Sequence, residues 1–118
     1  MSEDEIKAVV QAYLEGAGYA YSDKLRQAFH ENFRTAGFFE SKEIWSDRDA
    51  AIKACEAGGI PSAESLPPWQ ITKIIVNGDT SLVVVESEWS GKVFLESLTL
   101  LRTNGRWQIV FKAFHIKE

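Results

Sequence analysis

Two hydrophobic periods divide the chain. Up to about residue 58, apolar residues recur every three or four positions; from residue 69 onward they alternate with polar ones. The first spacing belongs to helices and the second to strands. Ile6, Val9, Val10, Tyr13, Leu14 and Ala17 form one stripe and predict an amphipathic helix. Ser2-Glu3-Asp4-Glu5 ahead of it has the capping-box pattern, and Gly16 and Gly18 are expected to end it. Ser22 or Asp23 then caps a second short helix, with Leu25, Ala28 and Phe29 on one side and His30 at its end. Residues 34–39 read as a strand, turned by Glu40-Ser41 into residues 42–45. Ser46-Asp47-Arg48-Asp49 repeats the capping pattern and opens a third helix through Ala51, Ile52 and Cys55, stopped by Gly58-Gly59 and Pro61. Residues 58–68, rich in Gly, Pro and Ser, read as a loop.

Four β-rich runs follow, at 69–76, 81–89, 92–102 and 106–116, separated by Asn77-Gly78, Ser90-Gly91 and Asn104-Gly105. Each dipeptide is a two-residue hairpin signal, because the central positions call for positive φ. Helices followed by an antiparallel meander predict an α+β fold. Two-residue turns also set a register. Trp89 faces Lys92, Ser87 faces Phe94 and Val85 faces Glu96, while in the first hairpin Val76 faces Asp79 and Ile74 faces Ser81. In the last hairpin Thr103 faces Arg106, Leu100 faces Ile109, Leu98 faces Phe111, Glu96 faces Ala113 and Phe94 faces His115. The resulting inner face is mostly apolar and is expected to lie under the helices. The opposite face, expected to include Leu82, Leu95, Lys112, Phe114 and Ile116, is too apolar for a solvated surface and predicts a homodimer.

The 118 residues suit one domain, 1–118, with a core of its own. At 45% hydrophobic and 12% aromatic the chain is not of the disordered class. A net charge of −4 disfavours nucleic acid as a partner, since phosphate binding needs a basic surface. The single cysteine, Cys55, cannot form an internal disulfide, which points to a reducing, cytoplasmic setting. The acidic N-terminus has no apolar signal core, and no stretch reaches membrane-span length, so no membrane association is expected.

Several segments in this order resemble a known superfamily: Tyr13-Leu14-Glu15-Gly16, Leu25-Arg26-Gln27-Ala28-Phe29-His30, Gly37-Phe38-Phe39-Glu40, Glu88-Trp89-Ser90-Gly91 and Lys112-Ala113-Phe114-His115, with Gly105-Arg106-Trp107-Gln108-Ile109-Val110 before the last. They are similar to the nuclear transport factor 2-like proteins, the superfamily of ketosteroid isomerase, scytalone dehydratase and the polyketide cyclases. The branch most resembled is the small bacterial group bearing a lumazine-binding label. The resemblance implies a cone-shaped, curved antiparallel sheet packed by three N-terminal helices, a cystatin-like α+β roll. It also implies a pocket between sheet and helices, frequent homodimers and no obligatory cofactor. The isomerases' aspartate and tyrosine pattern has no residue-by-residue match in this chain.

Glu96 is the sharpest candidate for chemistry, because it interrupts the apolar row Phe94, Leu98, Leu100. A buried carboxylate loses hydration unless a donor meets it. In the expected register His115 lies diagonally beside it, and diagonal neighbours sit roughly 7–8 Å apart. Glu96 and His115 are therefore the catalytic candidates, as an acid–base pair. Their satisfying one another at the rim is the plainer alternative. Ser87 and Phe94 would share that wall. His30 is placed at the pocket mouth, although a histidine at a helix end also suits the macrodipole. Trp45, Trp89, Trp107, Tyr13 and Phe38 are aromatic-wall candidates, and they suit a small hydrophobic or aromatic ligand. Two histidines and one cysteine without ligand spacing predict no metal site. Three functions follow: a small-molecule-binding protein, a cofactor-independent lyase or isomerase, or a dimerisation module.

Overall fold

The computed structural model describes residues 2–59, 68–89 and 91–117. The described residues form α1 (Ser2–Tyr19), α2 (Ser22–Ala28), β1 (Phe29–Phe39), β2 (Lys42–Asp47), α3 (Arg48–Gly58), β3 (Trp69–Asn77), β4 (Thr80–Trp89), β5 (Lys92–Thr103) and β6 (Arg106–Lys117). The six strands make one curved sheet in the order β2-β1-β6-β5-β4-β3, with the helices on its concave side. This is the expected α+β roll. The meander β3 to β6 is antiparallel, but β1 joins β6 in parallel, so the sheet is mixed rather than wholly antiparallel. Residues 60–67, including Pro61 and most of the expected loop, lie outside the described residues, as does Ser90 of the Ser90-Gly91 turn.

The helical stripe of α1 buries Ile6, Val10, Tyr13 and Leu14, as its period dictates. The helix does not stop at Gly16 or Gly18 but runs on to Tyr19. Gly16 serves a close approach instead: a Cβ there would lie 2.8 Å from Leu25 Cγ on α2. At the start of α2 the N-cap is Tyr21, which offers no side-chain cap, rather than Ser22 or Asp23. That helix ends at Ala28, so Phe29 and His30 already belong to β1. Asp47 caps α3 by accepting from Ala50 N at 2.9 Å.

Between β4 and β5 the pairing is the expected one, with Val85 opposite Glu96 and Ser87 opposite Phe94. In the first hairpin the loop residues are Gly78-Asp79, so Val76 meets Ser81 and Ile74 meets Val83. The Asp79 carboxylate accepts from Arg102 Nη2 at 2.6 Å and from Nε at 2.8 Å, which holds the turn one residue further along. The two-residue slip leaves Ile74 and Val76 on their expected face, but a further bulge between Ile71 and Lys73 shifts the start of β3 by one residue and brings Trp69 and Ile71 onto the core side as well.

The last hairpin departs more seriously. Thr103 faces Arg106 and Leu100 faces Ile109 as expected, but then Thr99 faces Phe111, leaving Val110 as the extra residue of a β-bulge. Beyond it Leu98 faces Lys112, Glu96 faces Phe114 and Phe94 faces Ile116. One residue of slip reverses every following side chain. Lys112, Phe114 and Ile116 turn to the concave side, and Phe111, Ala113 and His115 turn away from it. The core sits above this face, where Ile6, Val10, Leu14, Leu25 and Ile52 pack on Val83, Val85, Leu98, Leu100 and Ile109. Each such side chain stabilises the fold by about 1.5–3 kcal/mol.

Candidate functional site

Glu96 stands mid-strand on the concave face of β5, only 3% exposed. Its donor comes from α1: the Tyr13 hydroxyl gives its proton to Oε1 at 2.7 Å. The apolar stripe of α1 sets Tyr13 against the sheet, and its ring lies 5.4 Å from that of Phe29. The same phenol oxygen accepts from Lys112 Nζ at 3.1 Å. Lys112 reaches it because the Val110 bulge turned the lysine inward and because Thr35 Oγ1 donates to the Lys112 carbonyl at 2.9 Å. The ammonium lies 5.2 Å from the Tyr13 ring centre and 5.4 Å from that of Phe114.

An ammonium has only protons to give, so the direction of this chain is set: Lys112 to Tyr13, Tyr13 to Glu96. Burial pushes the Tyr13 phenol well above its ordinary pKa, and the carboxylate of Glu96 pushes it further. Half-buried Cys55 on α3 borders the same network. Burial raises its thiol pKa, Lys112 opposes that rise, and Glu96 adds to it. The second oxygen of Glu96 has no donor among the described residues, yet it is not among their sealed, unpartnered atoms, which are Ser81 Oγ and Trp107 Nε1.

Ser87, Trp89 and Phe94 lie on the concave side with Glu96 and Tyr13. Ser87 is buried and accepts from Trp89 Nε1 at 2.8 Å; Trp89 and Phe94 are half-buried. His115 is not with them. The bulge sends it to the outer face, where it is exposed opposite Leu95 and beside Phe38, so the expected pair with Glu96 does not form. Phe38 is 47% and Trp45 68% exposed on that outer side, away from the pocket wall expected for them. Trp45 sits opposite Ala36 and donates to Glu43 Oε2 at 3.0 Å. Half-buried His30 lies on β1 rather than at a helix end, and its Nδ1 accepts from Asn32 N at 3.0 Å. Trp107 packs into the core.

Lys112 is the site residue that the turn-based register hides. The clue lies in Ile109-Val110-Phe111, three consecutive apolar residues that break strict alternation where the bulge falls. Two grooves open elsewhere. One of about 360 Å³ runs between α1 and the β5–β6 turn, and one of about 170 Å³ lies beside Trp69 and Ser87. Neither is lined by Glu96, Tyr13 or Lys112. Among the described residues no group of three His, Cys, Asp or Glu side chains is placed to hold a metal, and no helix is long and apolar enough to cross a membrane.

A family model described as "Putative lumazine-binding" matches residues 1–115. An NTF-2-like protein of unknown function from Silicibacter pomeroyi is 31% identical, with a TM-score of 0.91 over 98% of this chain and 96% of its own. Another from Shewanella baltica is 24% identical, with a TM-score of 0.88 over 99% and 94%. A third, from Methylobacillus flagellatus, is also 24% identical, at 0.87 over 99% and 93%. The last two likenesses concern the fold. No curated protein matches the chain in sequence.

Proposed function

The chain belongs to the family described as "Putative lumazine-binding", within the nuclear transport factor 2-like superfamily, and we propose that it binds a small hydrophobic or aromatic molecule on the concave side of its sheet. The observation that carries this reading is the chain Lys112–Tyr13–Glu96 inside an otherwise apolar face. A fold needs no such network, because well-packed apolar residues in its place are often as stable or more so. Perturbed, desolvated groups of this kind concentrate at functional sites. Half-buried Trp89, Phe94 and Phe114 supply apolar wall beside it.

Glu96 also keeps the acid–base reading open as the second possibility: it has one free oxygen and a neighbouring proton donor. A lyase or isomerase here would use Glu96 with Tyr13, since His115 stands on the other face. The outer face, with exposed Trp45, Phe38, Leu82, Leu95 and Leu101, is proposed as the homodimer contact. The free cysteine suits a cytoplasmic setting, and the charge of −4 speaks against nucleic acid as a partner.

The test is titration with a naphthalene-sized aromatic, followed by tryptophan emission. Saturable quenching at micromolar concentration is expected, weakened at least threefold in Phe94→Ala while the circular dichroism spectrum stays the same. Linear, non-saturating quenching in both proteins would remove the ligand-binding reading.

A further inference from the structure

The groove of about 360 Å³ opens away from the buried network, between the flank of α1, the end of α2 and the start of β6. It lies at the low end of the roughly 300–1,000 Å³ that small-ligand pockets span. Ala8, Val9 and Ala12 of α1 and Ala28 of α2 give it short apolar walls, and Trp107 lines it from β6. Two groups of opposite charge border the same space, the Glu5 carboxylate and the Arg106 guanidinium. Among the described residues neither of them forms an ion pair. Arg106 is anchored by a single bond, Nη2 donating to the Gln27 carbonyl at 2.9 Å, and its other N–H groups have no acceptor among those residues. Arg102, 5.6 Å from the Trp107 ring centre, is committed to Asp79. Trp107 is 2% exposed, and its Nε1 has no acceptor. The helix macrodipole accounts for an acid in the first turns of α1, but not for an unpaired arginine beside the same apolar groove.

We propose that this groove binds a free α-amino acid with a short, branched apolar side chain, of the valine kind. The carboxylate accepts from Arg106, the ammonium donates to Glu5, and the side chain lies against Ala8, Val9, Ala12 and Trp107. The site is separate from the concave-face site proposed above and stands or falls without it. Charge selects the class. An anion that meets Arg106 also meets the carboxylate of Glu5, and a cation that meets Glu5 also meets the guanidinium. A zwitterion satisfies both ends and brings no net charge. The indole N–H without an acceptor belongs to the same wall as Arg106 and favours negative charge at that end. The short wall side chains leave room for the apolar group of the ligand, whose burial adds to affinity. Exposed charges are worth little one at a time, so binding is millimolar and needs all three contacts.

The experiment is a heteronuclear NMR titration of the full chain with three probes: L-valine, isobutylamine, which lacks its carboxylate, and isovalerate, which lacks its ammonium. L-Valine should shift the amides of Ala8, Ala12 and Arg106 and the indole N–H of Trp107 along one saturable curve. Each fragment should bind about threefold more weakly or worse, the scale of a lost exposed charge contact. Arg106→Gln should weaken L-valine to the level of isobutylamine, and Glu5→Gln should weaken it to the level of isovalerate. Both residues are exposed, and the Gln27 carbonyl keeps its bond from Gln108 Nε2, so these variants fold. Lys7→Gln, which removes an exposed charge of α1 outside the groove, is the control and should bind L-valine as the parent does. Equal binding of L-valine and either fragment, shifts confined to residues outside the groove, or no saturable shift at all overturns the proposal.

Discussion

Tyr13 is the residue on which the concave face turns. Its phenol keeps its proton well above the ordinary range, chiefly through burial and then through the adjacent Glu96. The folded chain therefore holds a proton that the unfolded chain releases near pH 10. The contribution is complete below that pH. It is lost as pH rises from there toward the folded value, at about 1.4 kcal/mol per pH unit. Tyr13→Phe abolishes this loss and leaves Oε1 of Glu96 without its donor, at a cost of about 1–3 kcal/mol near neutrality. Urea midpoints of both proteins should differ by a constant amount from pH 7 to 9. The gap should narrow above pH 10. A gap that stays the same at pH 11 would show that the phenol is not buried as described.

Among the elements, β6 decides most. Its Val110 bulge sets which of its residues face the helices, and its parallel pairing with β1 closes that side of the concave face. Gly37 of β1 lies opposite Phe114, and a side chain there has no room: a Cβ would press on the Phe114 carbonyl and lie 2.5 Å from its ring. A backbone obstacle cannot rotate away. Gly37→Ala should therefore destabilise by about 1–3 kcal/mol, as overpacking does. Thermal unfolding should show a melting temperature several degrees lower. Gly58→Ala, where a Cβ meets nothing within 4 Å, is the matched control and should melt near the parent. Equal melting of the two variants would mean that β1 and β6 do not approach this closely.

At the scale of the whole molecule the two faces of the sheet do different work. The concave face carries the core and the polar chain, while the outer face presents large apolar side chains around small residues. Across it run Trp45, Ala36, Ala113, Ser97 and Val84, paired strand to strand from β2 to β4. Small residues at the centre let a second sheet approach, and the flanking Phe38, Leu82 and Leu95 supply apolar area. A stable dimer needs roughly 800 Å² from each partner. Sedimentation velocity at micromolar concentration should show a dimer. Ala113→Arg, which sets a charge and bulk at the centre, should yield a monomer with an unchanged circular dichroism spectrum. A parent that sediments only as monomer would sink the homodimer.

What the sequence by itself determined was local. The stripe of Ile6, Val10, Tyr13 and Leu14, the Asp47 cap and the register across Ser90-Gly91 all follow from neighbours a few residues apart. So does the oddness of Glu96 among Phe94, Leu98 and Leu100. Only the tertiary structure decided what meets Glu96. Tyr13 lies 83 positions away, and Lys112 lies 99 from Tyr13, so no turn or period links them. Parallel pairing of β1 with β6 likewise has no hairpin to announce its direction. The exchange of His115 for Lys112 rests on a single extra residue in β6. Both registers satisfy the turn at Asn104-Gly105 equally well, and they separate only when the helices cover one face. On the concave side Ile116 is then buried and Phe114 half-buried, and His115 stays in water.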